Sequence, residues 1–307
     1  MQGGDSPHSH LPTGFVRNVT GAFANGAEWL DNLPTLLATY LEKWNLSQDG
    51  SPFDLSFHYV VPVLREGKYS AVLKLGVPAP EFASEAEALR LFHGHGAVAV
   101  LESDPTRGAL LLERIRPGNT LASSHDEIHA AEIAAQTMRK LWQANPGRTN
   151  LRSLDSWTAG LASLRARFDG ATGPLAPELV DLAENLRAEL LQEKQPPCLL
   201  HADLHHFNIL YGGESGWVAI DPKGVVGDPS YEPASFLLNP NAEVVLNPST
   251  QQDRIAIFAQ HLNLDPQRIT RWAFVHAVLS AWWTIEDGGH DYTTAMSAAR
   301  LLLNLLG

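Results

Sequence analysis

Cysteine is almost absent from this chain: among 307 residues there is one, Cys198, so no internal disulfide can form. It sits in the apolar run Cys198-Leu199-Leu200 and reads as a buried structural thiol. Long apolar runs are also missing. No stretch approaches the roughly 20 residues a membrane helix needs, and Met1 to His10 is polar without the core of a signal peptide. The expectation is a cytoplasmic protein with no membrane partner. Basic residues are scarce: 22 Lys and Arg stand against 34 Asp and Glu, for a net charge of -12. That balance argues against nucleic acid as a partner, which would demand a basic surface, and is compatible with a cationic small molecule. Internal repeats are lacking too. What remains, 44% hydrophobic and 18% charged, is ordinary globular composition, long enough for one large or two modest domains.

The most informative stretch is His201-Ala202-Asp203-Leu204-His205-His206-Phe207-Asn208-Ile209-Leu210. It fits the pattern H-x-D-L-x-x-x-N of kinase catalytic loops, with Ala202 where arginine is usual. The spacing has a mechanical reason: Asp203 can accept a proton from a substrate hydroxyl, and Asn208 can fold back to hold a magnesium ion on the phosphates. Farther on, Ala219-Ile220-Asp221-Pro222-Lys223-Gly224 reads as a short apolar strand delivering a second carboxylate, the second metal ligand. Singly, each residue would be turn chemistry. In this order they point to a phosphotransferase using ATP and Mg2+.

Upstream, Met1 to Gly26 is expected to be poorly ordered at its start. Ala27 to Leu46 is read as helix, with Pro34 opening a second segment, and Gln48 to Pro52 as turn. Strands are expected at 53–64, 69–75, 96–101 and 109–115, and a helix at 81–93. The segment Ala71-Val72-Leu73-Lys74 has the shape of the kinase strand whose lysine contacts the α- and β-phosphates. Glu85, Leu89 and Phe92 share one helix face, making Glu85 the candidate partner for Lys74, with Glu81 and Glu87 as competitors. Leu111-Leu112-Glu113-Arg114 is expected along the back of a nucleotide cleft, and Arg116-Pro117-Gly118 as a turn joining two domains. From Ser123 on the pattern is helical: 127–142, 154–168, 177–193, 231–238, 252–262, 266–286 and 292–306. The fold class is therefore α+β and bilobal, an antiparallel-sheet lobe with one helix over 1–115 and a larger helical catalytic lobe over 116–307.

These motifs resemble the aminoglycoside phosphotransferase branch of the protein-kinase-like fold, and within it the streptomycin 6-phosphotransferase and hydroxyurea phosphotransferase family. The resemblance runs from about Trp44 to the carboxy terminus, and the segment Asp221-Pro222-Lys223-Gly224 is its most family-specific piece. It implies Asp203 as catalytic base, Asn208 and Asp221 on magnesium, Lys74 on the phosphates and Glu85 positioning it. It also implies a small-molecule acceptor carrying a hydroxyl: a streptomycin-like aminoglycoside or hydroxyurea, with another small metabolite as the alternative. Two departures stand out. The phosphate-covering loop, read as Phe53-Asp54-Leu55-Ser56-Phe57, has no glycine, leaving Ser56 to offer its hydroxyl and amide. Ala202 and the absence of an Ala-Pro-Glu motif fit a constitutively assembled small-molecule kinase rather than a regulated protein kinase.

The acceptor is expected against the carboxy-terminal helices, where Trp283, Glu286 and Asp287 could stack on and pair with guanidinium groups. The competing reading makes the tryptophans core and the acids a solvated turn. Two rival functions use the same residues. A nucleotide-binding protein without catalysis is favoured by the glycine-poor loop. A zinc hydrolase is suggested by the crowding of His201, Asp203, His205 and His206.

Overall fold

The computed structural model describes residues 11–124 and 126–306, which form two units. The first comprises the described residues up to Arg90 together with Val98–Arg114. Its elements are α1 (Thr13–Ala22), α2 (Gly26–Lys43), β1 (Leu46–Gln48), β2 (Tyr59–Arg65), β3 (Tyr69–Leu75), α3 (Pro80–Phe92), β4 (Val100–Asp104) and β5 (Ala109–Glu113). The strands make one antiparallel sheet in the order β1-β2-β3-β5-β4. Strand alternation sorts its faces. Val61, Val63, Ala71, Leu73, Leu75, Ala109 and Leu111 point to one side and bury against Phe15 and Val19 of α1 and Trp29, Leu30 and Tyr40 of α2. The opposite face carries Lys74.

Several expectations for this unit are corrected. The poorly ordered start falls on residues 1–10, outside the described residues; from Thr13 the chain is helical because Phe15 and Val19, one turn apart, both bury fully. Helix α2 is not divided at Pro34. That proline is exposed, and the buried stripe continues on both sides of it, so packing carries the helix across the missing N–H. Asn45, at φ +52°, ends α2 in the left-handed conformation that asparagine tolerates, and β1 follows where helix end and turn were expected. Strand β2 begins at Tyr59 and not at Phe53, leaving 53–58 irregular. Strand β4 replaces the one expected at 96–101, because Gly94 and Gly96 sit at φ +75° and +76°, outside strand geometry.

The second unit comprises Leu91–Ala97 and the described residues from Ile115 onward. It contains α4 (Glu127–Leu141), β6 (Arg152–Ser153), α5 (Leu154–Trp157), α6 (Gly160–Arg167), α7 (Pro177–Gln192), β7 (Cys198–Leu200), β8 (Ile209–Tyr211), β9 (Trp217–Ala219) and β10 (Val225–Gly227). Then come α8 (Pro233–Leu237), α9 (Ala242–Val245), α10 (Pro248–Leu262), α11 (Pro266–Glu286) and α12 (Thr293–Leu305). Helix α11 is buried on nearly every side from Arg268 to Trp282 and packs against α6, α7, α8, α10 and α12. It is the spine of the unit. Two small sheets hold the reactive loops: β10 pairs parallel to β6 and antiparallel to β7, and β8 and β9 form a hairpin.

The single helix expected over 154–168 is split at Thr158, whose hydroxyl donates back to the Leu154 carbonyl at 2.7 Å and accepts from Arg187 Nε at 2.8 Å. Helix α10 starts at Pro248 rather than Gln252, because Asn247 caps the Thr250 N–H and proline suits the first turn. Among the described residues no helix is long and apolar enough to cross a membrane.

Candidate active site

In the first unit the charged element is an ion pair. Lys74 of β3 places Nζ 2.7 Å from Glu85 Oε1 of α3, with the residues only 2% and 5% exposed. Of the three acids left open by the sequence, Glu85 makes this contact. Removing one partner of such a pair leaves the other buried and uncompensated, at a cost of about 3–5 kcal/mol. Ser56 is exposed in the segment between β1 and β2, and its carbonyl accepts from Asn18 Nδ2 at 3.2 Å. Glu113 ends β5 exposed, its Oε2 accepting the Ala99 N–H at 3.4 Å.

In the second unit, β7 runs into the loop His201–His205, a short helical turn at His206–Asn208 follows, and the β8–β9 hairpin brings the chain back to Asp221. The return is stitched by main chain: Ile220 N–H donates to the Asn208 carbonyl at 2.9 Å, and Lys223 N–H to the His201 carbonyl at 2.8 Å. His201 is fully buried and serves as an internal brace. Its Nε2 lies 2.8 Å from the Ile220 carbonyl and its Nδ1 accepts the Asp203 N–H at 3.3 Å. Burial lowers its pKa to about 4, so the ring is neutral and both nitrogens are committed.

Asp203 is half-buried. Oδ1 accepts from the Ser235 hydroxyl at 3.0 Å and lies 3.7 Å from His205 Nε2, while Oδ2 lies 3.4 Å from Lys223 Nζ. Burial would raise this carboxyl, but Lys223, His205, His201 and the Ser235 hydroxyl outweigh it and hold it below its ordinary value. Asn208 spends its amide N–H on the Asp203 carbonyl at 2.9 Å, which leaves Oδ1 as an oxygen donor to a cation. Asp221 sits at φ +59° at the hairpin's exit, near enough to His205 to raise that imidazole's pKa against the dominant effect of burial. An amide oxygen and a carboxylate are the hard oxygen ligands magnesium takes, with phosphate and water completing its shell.

A residue that sequence reasoning missed holds this loop in place. Glu232 is fully buried, and its two carboxylate oxygens accept the N–H groups of His201 at 2.8 Å and Ala202 at 2.9 Å. Burial pushes its pKa up to about 7, with the two N–H donors opposing. Ala202 is at φ +65°, a conformation costing an L-residue roughly 1–2 kcal/mol. The Glu232 clamp offsets that strain. Behind the loop, His206 turns inward, stacks on Phe236 with ring centroids 3.9 Å apart, and joins Glu127 and the buried Arg254. With His201 and His206 so engaged, the histidine crowding has a structural explanation. Among the described residues no group of three or more His, Cys, Asp or Glu side chains is placed to hold a metal ion.

The two tryptophans near the end of α11 part company. Trp282 is 2% exposed and packs edge-on against Phe168, a core residue. Trp283 is half-buried, with its ring 5.3 Å from Trp157 and 5.6 Å from His276. Glu286 and Asp287 are exposed as residues at the helix end, yet partial desolvation of the carboxyls, and for Glu286 also the neighbouring Asp287, raises their pKa values.

An antiparallel sheet with a lysine–glutamate pair, preceding a helical unit that carries an Asp/Asn loop and a hairpin-borne Asp, defines a protein-kinase-like fold. Solved structures agree: a choline kinase from Streptococcus pneumoniae, 15% identical, matches with a TM-score of 0.63 over 89% of this chain and 99% of its own. The family follows from the sequence itself. The profile described as aminoglycoside/hydroxyurea antibiotic resistance kinase matches residues 43–288. A streptomycin 6-kinase from Streptomyces glaucescens is 31% identical over 91% of this chain and 92% of its own length. A hydroxyurea phosphotransferase from Kitasatospora aureofaciens is 35% identical over 86% of this chain and 77% of its own. The chain belongs to the aminoglycoside/hydroxyurea antibiotic resistance kinase family, and it is a small-molecule O-phosphotransferase.

Proposed function

We propose that the chain transfers the γ-phosphoryl group of Mg-ATP to a hydroxyl of a cationic, streptomycin-like aminoglycoside. Asp203 accepts the acceptor's hydroxyl proton as the oxygen bonds to the γ-phosphorus and the bridging P–O bond breaks, releasing ADP. Lys74, held by Glu85, neutralises charge on the donor phosphates. Asn208 and Asp221 hold Mg2+, which when bound neutralises charge building on the phosphoryl oxygens. Ser56 contacts the phosphates through its hydroxyl and amide, and Glu113 lies by the nucleotide. A single observation carries the acceptor class: the half-buried rings of Trp157 and Trp283 lie 5.3 Å apart, and the adjacent acids Glu286 and Asp287 follow one turn on at the exposed end of α11. A tryptophan face attracts a guanidinium, and carboxylates bind it through charge-assisted hydrogen bonds.

The second reading, hydroxyurea as acceptor, is supported by the 35% identity to a hydroxyurea phosphotransferase. Measuring ATP consumption over aminoglycosides, hydroxyurea and simple amino sugars separates the two. The cationic reading expects streptomycin among the best acceptors, with Glu286→Gln plus Asp287→Asn raising its KM several-fold. Turnover of hydroxyurea alone, unchanged in that variant, would overturn it.

A further inference from the structure

His276 lies in the middle of α11, 6% exposed, and no role has yet been assigned to it. Its Nδ1 is 2.7 Å from the Tyr231 hydroxyl, and the same hydroxyl is 2.9 Å from Trp157 Nε1. An indole N–H can only donate. The Tyr231 oxygen therefore accepts from Trp157, and its one proton is directed to His276 Nδ1. Nδ1 is an acceptor, so the neutral ring carries its own proton on Nε2. The ring is neutral at physiological pH, since burial lowers its pKa to about 4. Three residues from three parts of the chain thus set one tautomer.

Among the described residues Nε2 makes no hydrogen bond, yet it is not one of the side-chain nitrogens sealed from solvent without a partner. An N–H fixed on a nine-tenths buried ring and open to accessible space is met by water or by a ligand oxygen that takes the water's place. The surroundings indicate which. The Trp283 ring stands edge-on to the imidazole, and both Asp203 and His205 act electrostatically on it.

We propose that His276 Nε2–H is an acceptor-binding group that donates to an oxygen of the small molecule, a hydroxyl or carbonyl other than the one phosphorylated, and thereby selects which hydroxyl meets Asp203. The inference rests on the reading of Asp203 as the residue that receives the acceptor hydroxyl. It narrows the substrate class to acceptors with at least two oxygens, such as a cyclitol, a sugar or a hydroxamate-like molecule, and disfavours a simple amino alcohol.

The test combines a spectroscopic and a kinetic readout, with streptomycin and hydroxyurea as probes. With isotope-labelled histidine, the ring-nitrogen resonances of the full chain report the tautomer directly. The expected result is a proton on Nε2 of His276 in the free protein, whose signal moves when one probe is added in the presence of a non-hydrolysable ATP analogue, while that of His201 stays put. In steady state, His276→Phe should raise acceptor KM about tenfold, the loss of one neutral hydrogen bond, with the KM for ATP unchanged. Tyr231→Phe should produce a similar loss although the imidazole is retained, because it removes the donor that keeps Nδ1 unprotonated. A proton on Nδ1, or a signal that neither probe moves at saturation, would overturn the proposal. So would equal increases in both KM values accompanied by a lower Tm. Turnover of a probe without movement of the signal sinks this inference and leaves the proposed reaction standing; movement without turnover upholds the binding group and counts against the reaction.

Discussion

The two units hold their charged groups by opposite means. In the sheet unit one side chain holds another: Lys74 and Glu85 meet at 2.7 Å, nearly sealed from water on the face of β3 away from the main core. In the helical unit the backbone is held and the side chains ride on it. Glu232 grips two N–H groups, His201 braces two segments, and Asp203 is left half-open with Ser235, Lys223 and His205 around it. A group that binds one fixed donor can be locked by a buried ion pair. A group that must take and return a proton needs a fixed backbone and an accessible carboxylate.

Asp203→Ala separates the two units most sharply. Turnover should fall about a hundredfold to ten-thousandfold, with little change in nucleotide affinity, because in the proposed mechanism the carboxylate meets the acceptor and not the donor. Next in size comes the buried pair. Lys74→Ala should destabilise the fold by about 3–5 kcal/mol, Glu85→Gln should reproduce much of the defect, and the double variant should lose less than the sum. Urea unfolding together with ATP affinity measures both. Full additivity would assign Lys74 a different partner.

Glu232→Gln sharpens the contrast from the other side. It keeps the shape but can accept at only one oxygen, so one of the N–H groups of His201 and Ala202 loses its acceptor. The expected cost is about 1–3 kcal/mol, with kcat falling while both KM values hold. A drop in ATP affinity instead would mean that Glu232 shapes the donor site.

How much of this could be read from the chain depends on how far apart the partners lie. Asp203, Asn208 and Asp221 come from one loop and one hairpin, so local spacing alone brings them together. Lys74 and Glu85 lie on adjacent elements, and helix periodicity narrowed the acid to a short set. Glu232, Ser235 and His276 could not be found this way. Glu232 and Ser235 reach the loop across 30 residues or more of sequence, and His276 meets Tyr231 across 45, and nothing in their neighbours marks a glutamate as a backbone clamp or a histidine as the partner of a tyrosine. Likewise Trp282 and Trp283 are indistinguishable as a pair until α11 is packed, when a single step of 100° around the helix puts one in the core and the other on the wall. Some boundaries shifted at left-handed turns such as Asn45, Gly94 and Gly96, whose conformations depend on how the chain packs around them, and others at a side-chain cap or back-bond, as at Asn247 and Thr158.

The same burial sets a pH dependence, seen only below neutrality. His201 and His276 each fall from 6.5 to about 4 on burial. Between those values the unfolded chain takes up protons that the folded chain refuses, so stability is fully present above pH 6.5 and declines as pH falls toward 4. His276→Gln should flatten that decline by as much as one proton's worth, read from the urea midpoint across the range. An unchanged slope would mean that His276 takes up its proton as readily in the folded chain as in the unfolded one.

The division of labour itself is tested most directly by titrating Mg-ATP calorimetrically into Asp203→Ala and Lys74→Ala side by side. The account predicts that Asp203→Ala binds within about twofold of the unmodified protein while Lys74→Ala loses tenfold or more, the loss expected if Lys74 is the charged contact to phosphate that we propose. Equal losses in the two variants, or the reverse order, would contradict it.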